Sequence, residues 1–315
     1  MSYLTGQGID PSDLRIVNEA AYLKLHRSGE LAKRAREARQ HLESCDLCAN
    51  LCGVDRLVTK GRCRTGLRAV VSNAGPHHGE ERPLSGRRGS GTIFFSWCNL
   101  NCQFCQNAEI SQSGEGLEIS DQNLAELMLD LQDIGCHNIN LVSPSHVIAQ
   151  ILAAVEIAAG RGLQLPLVFN SGGYDSPAGL DLLDGVIDIY LPDIKFADSQ
   201  VAARYLGVDD YAEVNRAAVR EMHRQVGELQ LSEAGFARHG LLVRHLVMPN
   251  DLAGTDRTLD FIAREISTAT CLNLMDQYRP CHQAFQFPEL DRRPSGKELR
   301  TARRMVRQHG LHRLD

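Results

Sequence analysis

No stretch of this chain runs to eighteen apolar residues, the length at which a membrane-spanning helix becomes the reading, so no transmembrane segment is expected. Met1 to Asp13 lack both a basic start and an apolar core, so no signal peptide is expected either. An excess of charge is also missing. The 34 Lys and Arg stand against 39 Asp and Glu, and a net charge of −5 gives no electrostatic case for nucleic acid or a membrane surface. No internal repeat and no low-complexity tract occur. What the chain does have is 315 residues, 43% of them hydrophobic, enough for one large domain plus an appendage. It also has ten cysteines. In a chain expected to be cytoplasmic, they point to metal ligation rather than disulfides.

Three of them are packed into one run: Cys98, Cys102 and Cys105, within Phe95-Ser96-Trp97-Cys98-Asn99-Leu100-Asn101-Cys102-Gln103-Phe104-Cys105-Gln106-Asn107. The spacing is C-x3-C-x2-C. A [4Fe–4S] cluster is normally held by four thiolates, so a loop offering three leaves one iron open. An incomplete zinc site and three packed thiols are the rival readings. The context opposes both: an apolar lead, Thr92 to Phe95, then a loop rich in Asn and Gln, then a long α/β pattern. The spacing, Phe104 and the strand-like lead together resemble the radical S-adenosylmethionine (SAM) enzymes. That resemblance implies a cluster whose open iron is chelated by SAM, reductive cleavage to a 5′-deoxyadenosyl radical, and hydrogen abstraction from a substrate.

Residues 1 to about 40 read as helical, with Leu31, Ala35, Ala38 and Leu42 on one face and Ser28 as the expected N-cap. Residues 45 to 91, rich in Cys, Gly, Arg and Pro, read as loops organised by a metal. From residue 92 strands and helices alternate. Apolar runs fall at 92–96, 138–142, 166–169, 186–191, 241–247 and 272–275. Between them lie amphipathic stretches, among them Leu124 to Ile134 closed by Gly135, Val147 to Val155, and Tyr211 to Met222 closed by Gly227. Ser176-Pro177 reads as an N-cap with an N1 proline, and Ser295 with Glu298 as a capping box. Six β-α units are too few for an eight-stranded barrel. The expected fold is α/β, an open partial (β/α)6 TIM-like barrel of radical SAM type over residues 92–315. An N-terminal helical and Cys-rich metal-binding appendage occupies 1–91. In such barrels the chemistry sits at the carboxyl ends of the strands.

Residues 45 to 300 resemble, more narrowly, the activating enzymes of pyruvate formate-lyase. They look closest to poorly characterised relatives that carry an extra N-terminal cysteine motif. The runs that carry this are Gly89 to Phe95, Cys105-Gln106-Asn107, Asn138 to His146, Tyr190 to Lys195, Arg244 to Asn250 and Leu274 to Pro280. Where that family has a Gly-Gly-Glu turn for the SAM amino group, this chain has Ser143-Pro144-Ser145-His146. Asn170-Ser171-Gly172 stands for its Thr-Asn-Gly, Asp193-Ile194-Lys195 for its Asp-Leu-Lys, and Val243-Arg244 for its Ile-Arg. The resemblance therefore implies SAM contacts from Ser143, Asn170, Asp193, Lys195 and Arg244. Without the cysteine triplet, Asp193 and Lys195 would read simply as an ion pair on one face of a strand end. Trp97 replaces a glycine common before the first cluster cysteine, either covering the cluster or plugging the core. His146, His245 and His282 read as hydrogen-bonded fixtures. His77 and His78, with Glu80 and Glu81, read as a solvated loop.

Cys45, Cys48, Cys52 and Cys63 give C-x2-C-x3-C-x10-C beside Gly53, Gly61 and Gly66. Four thiolates on such a segment fit zinc or an auxiliary [4Fe–4S] cluster equally. Cys136 and Cys271 read as buried, and Cys281 as a thiol at the barrel mouth. No residue is assigned a catalytic role. The expected function is a cytoplasmic oxidoreductase of radical SAM type, an activase for a glycyl radical enzyme or an enzyme modifying a small molecule, peptide or nucleic acid directly. An electron donor such as flavodoxin or ferredoxin is implied. An iron–sulfur electron carrier is the third reading, and a carrier needs no six-unit barrel.

Overall fold

The structure, a computed structural model, describes residues 19–315. The expected helix over the first residues therefore lies partly outside the described ones. In chain order the elements are α1 (Ala21–Ser28), α2 (Glu30–Gln40), β1 (Ala69–His77), α3 (Arg82–Ser85), β2 (Ser90–Phe95), α4 (Ala108–Ser111), β3 (Leu117–Ile119), α5 (Asp121–Ile134) and β4 (Ile139–Val142). There follow α6 (Ile148–Gly160), β5 (Leu167–Ser171), α7 (Pro177–Leu183), β6 (Ile189–Pro192), α8 (Ser199–Leu206), α9 (Tyr211–Val226), β7 (Gln230–Leu231), β8 (Ala237–Leu246), α10 (Thr255–Phe261), β9 (Cys271–Met275) and α11 (Gly296–Gln308).

Six strands, β2, β4, β5, β6, β8 and β9, pair in parallel in the order of the sequence. Their apolar runs are the ones the sequence predicts, as buried parallel strands should be. Alternate residues face opposite sides. Ile93, Leu141, Phe169, Tyr190 and Val243 enter the core beneath the helices. Val168, Ile189, Leu191, Leu242 and Cys271 face the other side and pack on Leu84 of α3. One short segment thus touches several strands of the sheet. Asn138 on the β4 lead donates to the Leu84 carbonyl, and Asn273 on β9 donates to Glu81. The sheet therefore curls around residues 80–85. No helix among the described residues is long and apolar enough to cross a membrane.

The helix signals act locally as expected. Gly135 closes α5 at φ 94°, and Ser120, which the sequence reading did not single out, accepts from Asn123 N–H. Ser176 caps α7 ahead of Pro177, and Ser295 with Glu298 forms a full capping box on α11. Two expectations need correction. Ser28 is not an N-cap: it ends α1, and its hydroxyl donates to the Leu25 carbonyl. Gly29, at φ 78°, closes α1 and opens α2, because glycine alone adopts that left-handed conformation without cost. Residues 45–91 are not all loops. β1 pairs antiparallel with β2 and with β3. Its outer half, Ser72 to His77, is held by backbone bonds to the free edge of β2, not by side chains suited to a strand. α2 packs on α6, and Leu31, Ala35, Ala38 and Leu42 are buried there.

Candidate functional site

The loop after β2 is held from three sides. Asn101 and Gln103 N–H donate to the Leu206 and Tyr205 carbonyls at the end of α8, at 3.0 and 2.9 Å. Gln112 donates to the Leu100 carbonyl at 3.2 Å. Phe104 is buried edge-on against Phe196, with ring centroids 5.8 Å apart. Cys102 is buried, while Cys98 and Cys105 are half-buried. Burial pushes the Cys98 thiol up to about 11 and the Cys102 thiol higher, while the Lys195 charge favours the thiolate of both. Trp97, at φ 67°, sits where the backbone favours glycine. Its ring lies against Gly114, where a Cβ would fall 2.1 Å from it, and under the Arg64 guanidinium at 5.2 Å.

Beneath this loop lie the strand ends. A Cβ on Gly172 would stand 2.9 Å from Leu100 Cδ1 and 3.5 Å from Lys195 Cε, so the cysteine loop and Lys195 close on a glycine that leaves them room. Arg244 Nε donates to Asp193 Oδ1 at 2.8 Å, and its Nη2 donates to Asn170 Oδ1 at 2.6 Å. Lys195 Nζ donates to Asp193 Oδ2 at 2.5 Å. Burial pushes the Asp193 carboxyl up, but Arg244 and Lys195 outweigh it and hold it below its ordinary range. Tyr211 and Asn215 of α9 clamp the turns, the first by donating to the Gly172 carbonyl at 2.8 Å, the second to those of Gly173 and Asp193 at 2.9 Å each. Ser143 joins through its backbone, its N–H donating to the Asn170 carbonyl at 2.9 Å. The structure thus gathers Asn170, Asp193, Lys195 and Arg244 into one network, with Ser143 at its rim.

The other four cysteines come to the same end of the sheet. Cys48 bridges Asp175 after β5, and Asn50 donates to the Asn99 carbonyl at 2.7 Å. Cys45, Cys48 and Cys63 are buried. A Cβ on Gly61 would fall 3.3 Å from Cys63 Sγ and 3.5 Å from Cys52 Sγ, so this glycine keeps space open between two sulfurs. Arg56, 1% exposed, was not singled out by sequence reasoning. It donates to the His146 carbonyl at 2.7 Å, twice to the Gly66 carbonyl, and to Cys45 Sγ at 3.7 Å. No carboxylate among the described residues pairs with it. Burial pushes the Cys45 thiol up, while the Arg56 charge beside it favours the thiolate. Among the described residues, however, no three His, Cys, Asp or Glu side chains are arranged as a closed metal-ligand set. Both cysteine groups are gathered, with donors of the right chemistry, but their sulfurs do not converge on a common point.

His146 and His245 are fixtures, bonded to the Ser96 carbonyl at 3.0 Å and the Ile194 carbonyl at 2.7 Å. Cys136 and Cys271 are buried as expected. Cys281 lies two residues before Gln283, whose N–H donates to the Gln103 carbonyl within the cysteine loop. His77 and His78 are exposed, as a solvated loop should be, but Glu80 and Glu81 turn inward, which corrects that part of the reading from sequence. The Glu80 side chain is 9% exposed and Glu81 is 6% exposed.

No protein-family model matches the chain. A protein of Methanocaldococcus jannaschii, described as uncharacterized, is 29% identical over 282 residues, covering 87% of this chain and 77% of that protein. Streptococcus suis SuiB, solved with its precursor peptide SuiA, superposes with a TM-score of 0.46 at 11% identity, over 68% of this chain and 44% of that one. TYW1, solved with a lysine-pyruvate adduct, superposes with a TM-score of 0.43 at 12% identity, over 69% of this chain and 73% of that one. Likeness at these scores carries no argument about chemistry.

Proposed function

We propose that this chain is a radical SAM enzyme that acts directly on its substrate. The observation that carries the reading is the cysteine triplet lodged over Gly172, with Lys195, Asp193, Arg244 and Asn170 on the strand ends below. Six parallel strands curled around residues 80–85 support reading the sheet as an open partial (β/α)6 barrel with its site at the carboxyl ends. Cys98, Cys102 and Cys105 would hold the [4Fe–4S] cluster. When bound, that cluster would supply the electron for reductive cleavage of SAM and so the radical that takes hydrogen from the substrate.

The chain's own residues do the positioning. Asp193 orients Lys195 and Arg244 and offers acceptor oxygens for ribose hydroxyls. Lys195 and Arg244 offer charge to the cofactor's carboxylate, and Asn170 fixes the arginine fork. Cys45, Cys48, Cys52 and Cys63 would hold a second centre, zinc or a cluster. The buried Arg56 charge and the space kept by Gly61 support thiolate ligation there. A flavodoxin or ferredoxin would deliver the electron. The rival role, activating a glycyl radical enzyme, requires the site to admit a glycine. A glycine brings no charge for the carboxylates buried behind the site.

The test is the variant with Cys98, Cys102 and Cys105 all changed to Ala, reconstituted anaerobically. It should lose one [4Fe–4S] cluster and form no 5′-deoxyadenosine from SAM. Formation at the wild-type rate would end this reading.

A further inference from the structure

Behind the Asp193 network, on the face of the sheet away from the helices, polar groups are buried without partners. Glu81 Oε1 accepts from Asn273 at 2.9 Å, while its Oε2 is buried and takes no hydrogen bond among the described residues. Asn140 on β4 is 0% exposed, and neither its Oδ1 nor its Nδ2 closes a hydrogen bond. Its amide lies against the Glu80 carboxyl and favours the charged form, while burial, the larger effect, pushes that carboxyl up. The Glu80 carboxylate also meets the ring of the exposed His77, at 3.2 Å. Arg244 faces both glutamates electrostatically, but its hydrogen bonds go to Asp193 and Asn170. Asp193, Glu80 and Glu81 thus share the neighbourhood of Lys195 and Arg244, and Asp315 with Arg82 lies beyond Glu81. Asp193 already engages both cations. Buried polar atoms are normally satisfied, and a buried carboxylate normally has a cation. Glu81 Oε2 and the Asn140 amide, all buried and short of a hydrogen bond among the described residues, occupy the same place as these carboxylates.

We propose that Glu80, Glu81 and Asn140 form the substrate-recognition end of the site and receive a primary ammonium group, of a free amine or a lysine-like side chain. An ammonium carries three donors and no acceptor. Three acceptors await it: a Glu80 oxygen, Glu81 Oε2 and Asn140 Oδ1. A metal ion fits less well, because no three ligating side chains converge here among the described residues. A cleft of about 330 Å³ opens beside β9 and is lined by Asn273, the residue that holds Glu81, and by Asp315. This assignment rests on the reading of the chain as a directly acting radical SAM enzyme.

The probe is propylammonium, with propionate as its anionic counterpart, titrated into anaerobically reconstituted full-length protein. Calorimetry and saturation-transfer NMR are the readouts. Propylammonium should bind saturably with a Kd on the order of millimolar, as so small a ligand allows, and propionate should not bind. Glu81→Gln and Glu80→Gln should each weaken binding by roughly tenfold or more, the cost of losing a charged hydrogen bond. Glu233→Gln, at an exposed position outside the site, should leave it unchanged. No saturable binding to the wild type, as when the two carboxyls merely share a proton, overturns the proposal. So does equal binding of propionate, or unchanged affinity in both Gln variants. Should one variant fail to fold, the other and the wild-type preference for the cation still decide. SAM binding measured on the same samples separates the two claims. SAM binding without amine binding removes only this inference, and amine binding without SAM binding removes only the proposed function.

Discussion

Asp193→Asn removes one carboxylate from between two cations. In the native fold Lys195 and Arg244 approach it at 2.5 and 2.8 Å, with side-chain exposures of only 15–20% across the three. Each contact is a charged hydrogen bond worth about 1.5–3 kcal/mol. Breaking a buried pair by removing one partner costs about 3–5 kcal/mol, since the other charge is stranded. Here Lys195 loses its carboxylate while Arg244 still faces Glu80 and Glu81, so the loss should lie at the low end, roughly 3 kcal/mol. In a chain of this length that is a fall in Tm of roughly 5–10 °C. The sign with pH follows from the depressed carboxyl. Its contribution is complete above the ordinary carboxylate range and is lost as pH falls through the lower folded value, so the comparison belongs at neutral pH. Differential scanning calorimetry gives the stability term. Anaerobic titration with SAM gives the function, where affinity should fall by roughly ten- to a hundred-fold while the cluster is retained. Arg220→Gln breaks an exposed pair with Glu265 and should change Tm by little. A lower Tm with unchanged SAM affinity would make the network a fixture and withdraw Asp193 from the cofactor site. An unchanged Tm would refute the energetic reasoning itself.

Two further outcomes are expected. The variant lacking Cys98, Cys102 and Cys105 should still carry zinc or about four irons per chain on the N-terminal thiolates, read by metal and sulfide counting; a protein devoid of both would leave those cysteines without a metal. Burial, reinforced by Arg56, holds His146 down at about 3, so the unfolded chain takes up a proton below the ordinary histidine value while the folded one does not. Stability should therefore fall by roughly 2 kcal/mol from about pH 7 to about pH 5, by urea midpoints, and His146→Gln should flatten that slope; an equally steep slope in the variant would place the acid sensitivity elsewhere.

What was legible in the sequence, and what was not, divides along a physical line. The six parallel strands announce themselves because strands buried on both faces read as apolar runs. Two helix caps announce themselves because Ser176 and Ser295 act on N–H groups three residues away. Asn170, Asp193, Lys195 and Arg244 were named as a set through the family resemblance, and they lie at or near the carboxyl ends of strands, which in parallel sheets share one mouth. β1 was not readable, since its outer half is held by the neighbouring edge rather than by its own side chains. Glu80 and Glu81 were misread for a related reason. Acidic residues in a Gly/Pro loop are ordinarily wet, and what buries Glu81 is Asn273, 192 residues further on.

Arg56 was invisible for that same reason, and its position bears on how the two cysteine groups depend on each other. Its guanidinium joins Cys45 Sγ to the His146 carbonyl, and the His146 ring in turn donates to the Ser96 carbonyl. Ser96 lies two residues before Cys98. A second strand of contacts runs from Asn50, beside Cys48, to the Asn99 carbonyl, beside Cys98. Asn99 itself donates to the Tyr174 carbonyl, next to the Asp175 that bridges Cys48. The two groups are therefore parts of one buried hydrogen-bonded body, whatever each one ligates. The segment before residue 92 supplies β1 to the sheet, the Arg56 charge to its core and the glutamates to its inner face. Its role is thus built into the site and not attached beside it.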